Sequence, residues 1–133
     1  MKTYLDVLII TRNEEANIAG CLQSVCWADE LFVVDSLSTD RTAEIAKAMG
    51  AQVYLHPFEG YAQQRNWALE NLPFSHDWVL MLDADERITA PLAEQIRSVA
   101  SSPDCHCAGY YLNRRFYFHG RWLTHGGLSP SWI

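Results

Sequence analysis

The chain has 133 residues, 49% hydrophobic and 20% charged, a balance that suits one globular domain with a real core and excludes a disordered segment. A formal net charge of −6 leaves no broad basic field for a nucleic-acid backbone, so nucleic acid is not an expected partner. No apolar run approaches a membrane span, and the run at residues 5–10 is too short and interrupted for a signal peptide, so a cytoplasmic chain with reduced thiols is expected.

In chain order, residues 4–11 read as a buried strand rich in aliphatic and β-branched residues. Asn17 is placed to cap a helix that carries Ile18, Leu22 and Val25 on one face. Residues 30–35 form the second strand. Asp40 then caps a helix with Ile45, Ala46 and Met49 inward, and Gly50 stops it. Residues 52–56 make a third strand that Pro57 ends. Residues 61–72 make a third helix, with Tyr61, Arg65, Ala68 and Leu72 in one stripe and Trp67 beside it. Residues 78–82 are the fourth strand, and Thr89 caps a helix with Pro91 in its first turn and Leu92, Ile96 and Val99 as its stripe. Strands alternating with helices in this order predict an α/β fold with a mostly parallel, right-handed, wound sheet. The tail is different: Ser101-Ser102-Pro103-Asp104 is a loop signal, residues 109–118 are aromatic and strand-like with Arg114-Arg115, and Gly120 and Gly126-Gly127 punctuate the rest.

Each of the four strands is followed by a polar cluster that a core does not need: Thr11-Arg12-Asn13-Glu14-Glu15; residues 35–42 from Asp35 and Ser36 to Arg41 and Thr42; Gly60 to Asn66 with Gln64 and Arg65; and Asp83-Ala84-Asp85-Glu86. In a parallel sheet all four lie at the carboxyl edge, where open α/β sheets bind ligands. An extended backbone beyond the fourth strand would aim Asp83 and Asp85 to one side, and two hard oxygen donors there suit Mg²⁺ or Mn²⁺ against phosphate oxygens. An acidic capping loop explains that pair equally well on spacing alone. Asp35 can accept from a base N–H or ribose hydroxyls, and Arg65 can neutralise a phosphate as a fork donor or pair on the surface with Glu59 or Glu70. Neither a Gly-rich P-loop nor a G-x-G-x-x-G fingerprint is present. Asp40 reads as a helix cap first, Ser38 and Thr39 as turn residues, His56 as structural, Trp27 and Trp67 as core or core-edge aromatics; His119 and His125 stay open. Of the four cysteines, Cys21 has a core spacing, while Cys105-His106-Cys107 lacks a fourth ligand at a recognisable zinc spacing.

The ordered set Thr11-Arg12-Asn13-Glu14-Glu15, Val33-Val34-Asp35-Ser36-Leu37-Ser38-Thr39-Asp40, Gln64-Arg65-Asn66-Trp67-Ala68-Leu69 and Leu82-Asp83-Ala84-Asp85-Glu86 closely resembles the family 2 glycosyltransferases. Within them it is similar to the subgroup that adds a sugar, often glucose, to the lipopolysaccharide core, and the resemblance extends through Gly120-Arg121-Trp122 and His125-Gly126-Gly127. It implies a Rossmann-like GT-A sheet with an incomplete C-terminal strand region, one domain over residues 1–133, a nucleotide-sugar donor (a UDP-sugar foremost) and inversion at the anomeric carbon. By position, Thr11 and Glu14 would line the nucleotide pocket, Asp35 would meet base or ribose, and Arg65 would lie near the diphosphate. Asp83 would meet ribose or metal and Asp85 would ligate the metal, with Arg12, Asn13, Ser36, Asn66 and Ala84 completing the donor site and Mg²⁺ or Mn²⁺ as cofactor. The acceptor would be a saccharide or lipid-linked saccharide, which is compatible with peripheral association at the inner face of the cytoplasmic membrane.

Two positions depart from the family pattern. Leu37 stands where Gly is usual, and Ser131 follows Pro130 where the subgroup usually has an acid. No motif matching the family's carboxylate base is found up to Ile133, so the resemblance puts that base beyond this chain and predicts donor binding in preference to turnover. Two alternatives are carried: a non-catalytic nucleotide-sugar-binding fragment, and a nucleotidyltransferase, which would need a Gly-rich basic loop that residues 11–15 do not supply.

Overall fold

The computed structural model describes residues 3–103, 106–123 and 131–132. Met1, Lys2, Cys105, His125, Gly126, Gly127, Pro130 and Ile133, some of them singled out above, lie outside the described residues. Two compact units emerge, residues 1–103 and 104–133, and each is treated by itself.

The first unit alternates strand and helix as the apolar runs predict: β1 (Leu5–Thr11), α1 (Ile18–Ser24), β2 (Glu30–Asp35), α2 (Thr42–Ala48), β3 (Gln52–Leu55), α3 (Tyr61–Asn71), β4 (Trp78–Asp83) and α4 (Ala90–Ala100). The four strands form one parallel sheet in the order β3-β2-β1-β4, the wound arrangement expected. Val7, Leu8, Ile9, Phe32, Val33 and Val34 have no solvent exposure, which is why β1 and β2 read as continuous apolar runs rather than alternating ones. On one face Leu8, Phe32 and Val34 pack against Ala68 of α3 and Leu72 at its C-cap, with Tyr54, Trp67, Phe74, Val79 and Met81 around them. Phe32 meets the Phe74 ring edge-on at 4.7 Å. Emptying this cluster by Phe32→Ala would cost about 3–5 kcal/mol.

Register matters more for the site than the core does. Thr11 lies opposite Asp35 across the β1–β2 ladder, and Ile10 lies opposite Asp83 across β1–β4. Three adjacent strands therefore stop within one rung of each other at their carboxyl ends, and their last polar residues open onto the same edge.

Several details correct the expectations. Tyr4 has a φ of +57° and precedes β1 rather than joining it. Asn17 occupies the position before α1, but its amide donates to Glu14 Oε2 at 2.9 Å and caps no main-chain N–H. Met49 is 39% exposed; Ala46 is buried as expected, and Thr42 is buried with it, its Oγ1 accepting from the Glu14 N–H and donating to Asp40. In α3 the buried residues are Gln64 and Ala68, with Leu72 buried just after its end, and Tyr61 is turned out at 71% exposure. Arg65 is paired with neither Glu59 nor Glu70; its ion pair is with Asp83 at 3.5 Å.

In the second unit the single strand expected over residues 109–118 is broken into short pieces. β5 (Asn113–Arg114) pairs antiparallel with β8 (Ser131–Trp132), and β6 (Phe116–Phe118) forms a hairpin with β7 (Arg121–Leu123). His119 and Gly120 make the turn, both at positive φ. Among the described residues no helix is long and apolar enough to cross a membrane.

Candidate functional site

At the carboxyl edge of the sheet lies a cleft of about 370 Å³, within the usual range for small-molecule sites. All four strand ends contribute to it. β1 and its loop supply Ile10, Thr11, Arg12 and Glu14; the loop after β2 supplies Ser36; the β3–α3 connection and the first residue of α3 supply Phe58 and Tyr61; β4 and its turn supply Asp83, Ala84 and Asp85. The polar clusters that follow the strands in sequence thus meet in space. Asn13, Asp35, Arg65 and Asn66 are not among the residues lining the cleft.

Asn13 and Asp35 instead shape the cleft wall. Asp35 is 1% exposed; Ser38 donates to it twice, from its main-chain N–H at 2.8 Å and from its hydroxyl at 2.5 Å. These two bonds, spanning three residues, fold the β2 loop back. The Asn13 N–H donates to Ser38 Oγ at 2.8 Å, and Asn13 Oδ1 accepts from the Thr39 N–H at 2.8 Å, so the β1 and β2 loops are stitched to each other. Asp40 extends the seam. It caps α2 by accepting from the Thr42 N–H at 3.0 Å and the Thr42 hydroxyl, and also accepts from the Glu15 N–H at 3.2 Å. In the same loop Leu37 takes a φ of +57°, in the left-handed region that favours the Gly usual there.

The acidic turn is built differently from its expected form. The chain does not stay extended after Asp83; it turns at once, the Glu86 N–H donating to the Asp83 carbonyl at 3.0 Å. The turn still gathers the carboxylates: one oxygen each from Asp83, Asp85 and Glu86 lie within 4.8 Å of one another. These hard, partly exposed oxygen donors fit a Mg²⁺- or Mn²⁺-sized cation, and Glu86 is a third candidate donor that the Asp-x-Asp spacing passed over. Arg65 approaches Asp83 Oδ1 at 3.5 Å, which sets a cation at the edge of the same cluster. Arg87 holds the turn from behind, donating to the Ala84 and Glu86 carbonyls at 3.3 and 2.9 Å and to Asn17 Oδ1 at 3.4 Å.

Beneath the cleft, fully buried Gln64 donates from Nε2 to Ser36 Oγ and to the His56 carbonyl, both at 3.1 Å, while its Oε1 lies 2.7 Å from His56 Nδ1. His56 stacks on Trp67 at 4.0 Å. Apolar periodicity could not find Gln64, since only partners from two other elements make it a core residue. Thr11 Oγ1 is buried at the cleft wall with no hydrogen-bond partner among the described residues. Asn66 points to solvent. Cys21 is buried, and burial pushes its thiol up to about 12, against the opposing charge of Arg87.

A second cluster sits at the opposite, amino edge of the sheet. Asp6, fully buried, accepts from the Ser75 and His76 N–H groups at 2.8 and 3.1 Å, and His76 Nδ1 lies 2.8 Å from it. His76 Nε2 reaches Asp29 at 3.4 Å, and Asp29 accepts the Thr3 and Tyr4 N–H groups at 3.0 and 2.7 Å. The hydrogen bond to Asp6, opposed by partial burial and helped by the charges of Asp6, Asp29 and Glu30, holds His76 above its ordinary range. This cluster ties the start of β1 to the loops entering β2 and β4.

The profile of glycosyl transferase family 2 matches residues 6–129. The chain belongs to that family. Lipopolysaccharide core biosynthesis glycosyltransferase LpsC of Rhizobium meliloti is 34% identical over 128 residues, 92% of this chain and 46% of LpsC. An uncharacterized glycosyltransferase of Rickettsia typhi is 43% identical over 99 residues, 74% of this chain and 33% of that protein. The chain thus spans a third to a half of the length of these family 2 relatives. Glucosyl-3-phosphoglycerate synthase from Mycobacterium tuberculosis, crystallised with UDP, superposes with a TM-score of 0.59 at 27% identity, covering 74% of this chain and 40% of that one. A crystal of the same synthase with Mn²⁺, UDP-glucose and phosphoglyceric acid matches with a TM-score of 0.53 at 28% identity, over 62% of this chain and 35% of that one. The parallel sheet flanked by helices is accordingly the GT-A fold.

Proposed function

We propose that this chain is the donor-binding part of an inverting family 2 glycosyltransferase that takes a sugar from a UDP-sugar and delivers it to a saccharide, or lipid-linked saccharide, of the lipopolysaccharide core. One observation carries the reading: a single cleft is lined by residues from all four parallel strand ends, with Asp83 and Asp85 at one side of it and the Glu86 carboxylate gathered beside them. The LpsC likeness supports the core saccharide as acceptor, and the synthase crystals with UDP and Mn²⁺ support the donor and the cation.

In this reading Asp83 and Asp85, with Glu86 beside them, hold Mg²⁺ or Mn²⁺. When bound, the cation supplies charge neutralisation for the nucleoside-diphosphate leaving group. Thr11, Arg12 and Glu14 take the nucleoside, Ser36 closes the floor, and Asp35 with Asn13 keeps the two loops in register beneath it. Arg65 adds positive charge beside Asp83 where the diphosphate leaves. The acceptor hydroxyl attacks the anomeric carbon from the face opposite the diphosphate, so configuration inverts, and a general base must take its proton.

Calorimetric titration with UDP in the presence and absence of Mn²⁺ tests this. Binding that depends on Mn²⁺ is expected, and binding that is absent under both conditions refutes it. Assay of the products separates the alternatives. Transfer of glucose from UDP-glucose marks an enzyme, metal-dependent binding without turnover marks the binding part alone, and release of pyrophosphate instead of UDP marks a nucleotidyltransferase.

A further inference from the structure

The cleft has a feature that its acids do not explain: an aromatic pair exposed at its wall. Phe58 and Tyr61 both line the cleft, meet edge-on at 5.1 Å, and remain 40% and 71% exposed. Large apolar rings left open at a cleft wall, while every other aromatic of the β2–α3 region packs inward on the core, are surfaces for a ligand. Their placement is built in. Gly60 between them has a φ of +146°, a backbone conformation that favours glycine, and this sets the turn of the loop into α3.

Along α3, Tyr61 and Arg65 stand four residues apart and so share one helix face. Tyr61 lines the cleft, and Arg65 reaches Asp83 at its acidic side. The cleft therefore presents aromatic rings and carboxylates on its lining, with the Arg65 cation held against Asp83 just outside it. A nucleoside diphosphate has matching parts: a flat base, a ribose and a charged diphosphate with its cation.

We infer that Phe58 and Tyr61 form an aromatic clamp that stacks on the nucleobase of the donor and contributes a large part of its affinity. The inference rests on the proposed nucleoside-diphosphate site and assigns it two residues outside the donor-binding set that the family resemblance implies. Every base has a π face, so the clamp supplies affinity for the nucleoside rather than discrimination between bases.

The test uses the 133-residue chain and two ligands, UDP and inorganic pyrophosphate, titrated with Mn²⁺ present. Tyr61→Leu and Phe58→Leu are compared with Tyr61→Phe, each checked for an unchanged thermal melt. Stacking on one aromatic predicts that each Leu variant weakens UDP binding roughly five- to a hundredfold, leaves pyrophosphate binding within about twofold, and that Tyr61→Phe retains UDP affinity. Unchanged UDP affinity in both Leu variants overturns the clamp, as does an equal loss for UDP and pyrophosphate. A wild-type chain that binds pyrophosphate but not UDP, or neither, overturns the nucleotide reading itself, and the two failures are thereby told apart.

Discussion

The bracket at the amino edge of the sheet makes a prediction that can be worked through from its contacts. His76→Ala removes the ring that lies 2.8 Å from the buried Asp6 carboxylate and 3.4 Å from Asp29. A hydrogen bond to a charged group contributes about 1.5–3 kcal/mol. Asp6 keeps the Ser75 and His76 main-chain donors, so the loss stays below the roughly 3–5 kcal/mol of a buried charge stripped of its partner. A cost of about 2 kcal/mol lowers the melting temperature of a unit of this size by roughly 8–16 °C. The pH dependence has a definite sign. The folded state holds the His76 proton more tightly than the unfolded chain does, so the ionic part of the contribution is fully present below about pH 6.5. It is lost as pH rises through the raised folded-state value, and what remains above is the hydrogen bond from the neutral ring. Thermal melts of wild type and His76→Ala from pH 5 to pH 9 should therefore show a gap that is largest at the acid end and narrows upward. A gap of less than about 3 °C at pH 5.5, or one that widens with pH, would refute the reasoning.

Three further outcomes follow from the site and its supports. Asp85→Asn and Asp83→Asn should each weaken Mn²⁺-dependent UDP binding by roughly ten- to a hundredfold with little change in melting temperature, since both side chains are partly exposed; calorimetry with and without EDTA reads this. Leu37→Gly should raise the urea midpoint by an amount worth about 0.5–1 kcal/mol, because relief of the left-handed strain, about 1–2 kcal/mol, exceeds the added freedom of the unfolded chain, and Leu37, 52% exposed, gives up little packing; a lower midpoint contradicts it. Native thiol labelling at pH 8, mapped by mass spectrometry, should modify exposed Cys26 and Cys107 and spare Cys21 until denaturant is added, and early labelling of Cys21 would show that its burial is not maintained.

The sheet was legible because its strands are buried on both faces and so appear as unbroken apolar runs, as in Val7-Leu8-Ile9 and Phe32-Val33-Val34. The gathering of polar loops was legible for the same reason, since parallel strands must all end at one edge. What failed was side-chain direction in the helices. Tyr61 looked like a core residue and Gln64 like a surface one, because periodicity weighs polarity and cannot see that Ser36 and His56 satisfy a buried amide. Asp85 reached the cluster by a turn rather than by strand alternation, a reversal that one main-chain hydrogen bond from Glu86 decides. Asp6 hid in an apolar run, its partner His76 being 70 residues away.

The central claim is that the carboxyl edge, and not the amino edge, holds a divalent cation together with a nucleoside diphosphate. Paramagnetic broadening of the amide signals by Mn²⁺, recorded with UDP present, tests it most directly, because both edges carry a carboxylate cluster able to compete for the ion. Broadening centred on Asp83, Ala84, Asp85 and Glu86 and reaching Thr11 and Arg12 is the predicted result. Broadening centred on Asp6, Glu30 and His76, or spread evenly over the acidic surface, would contradict it.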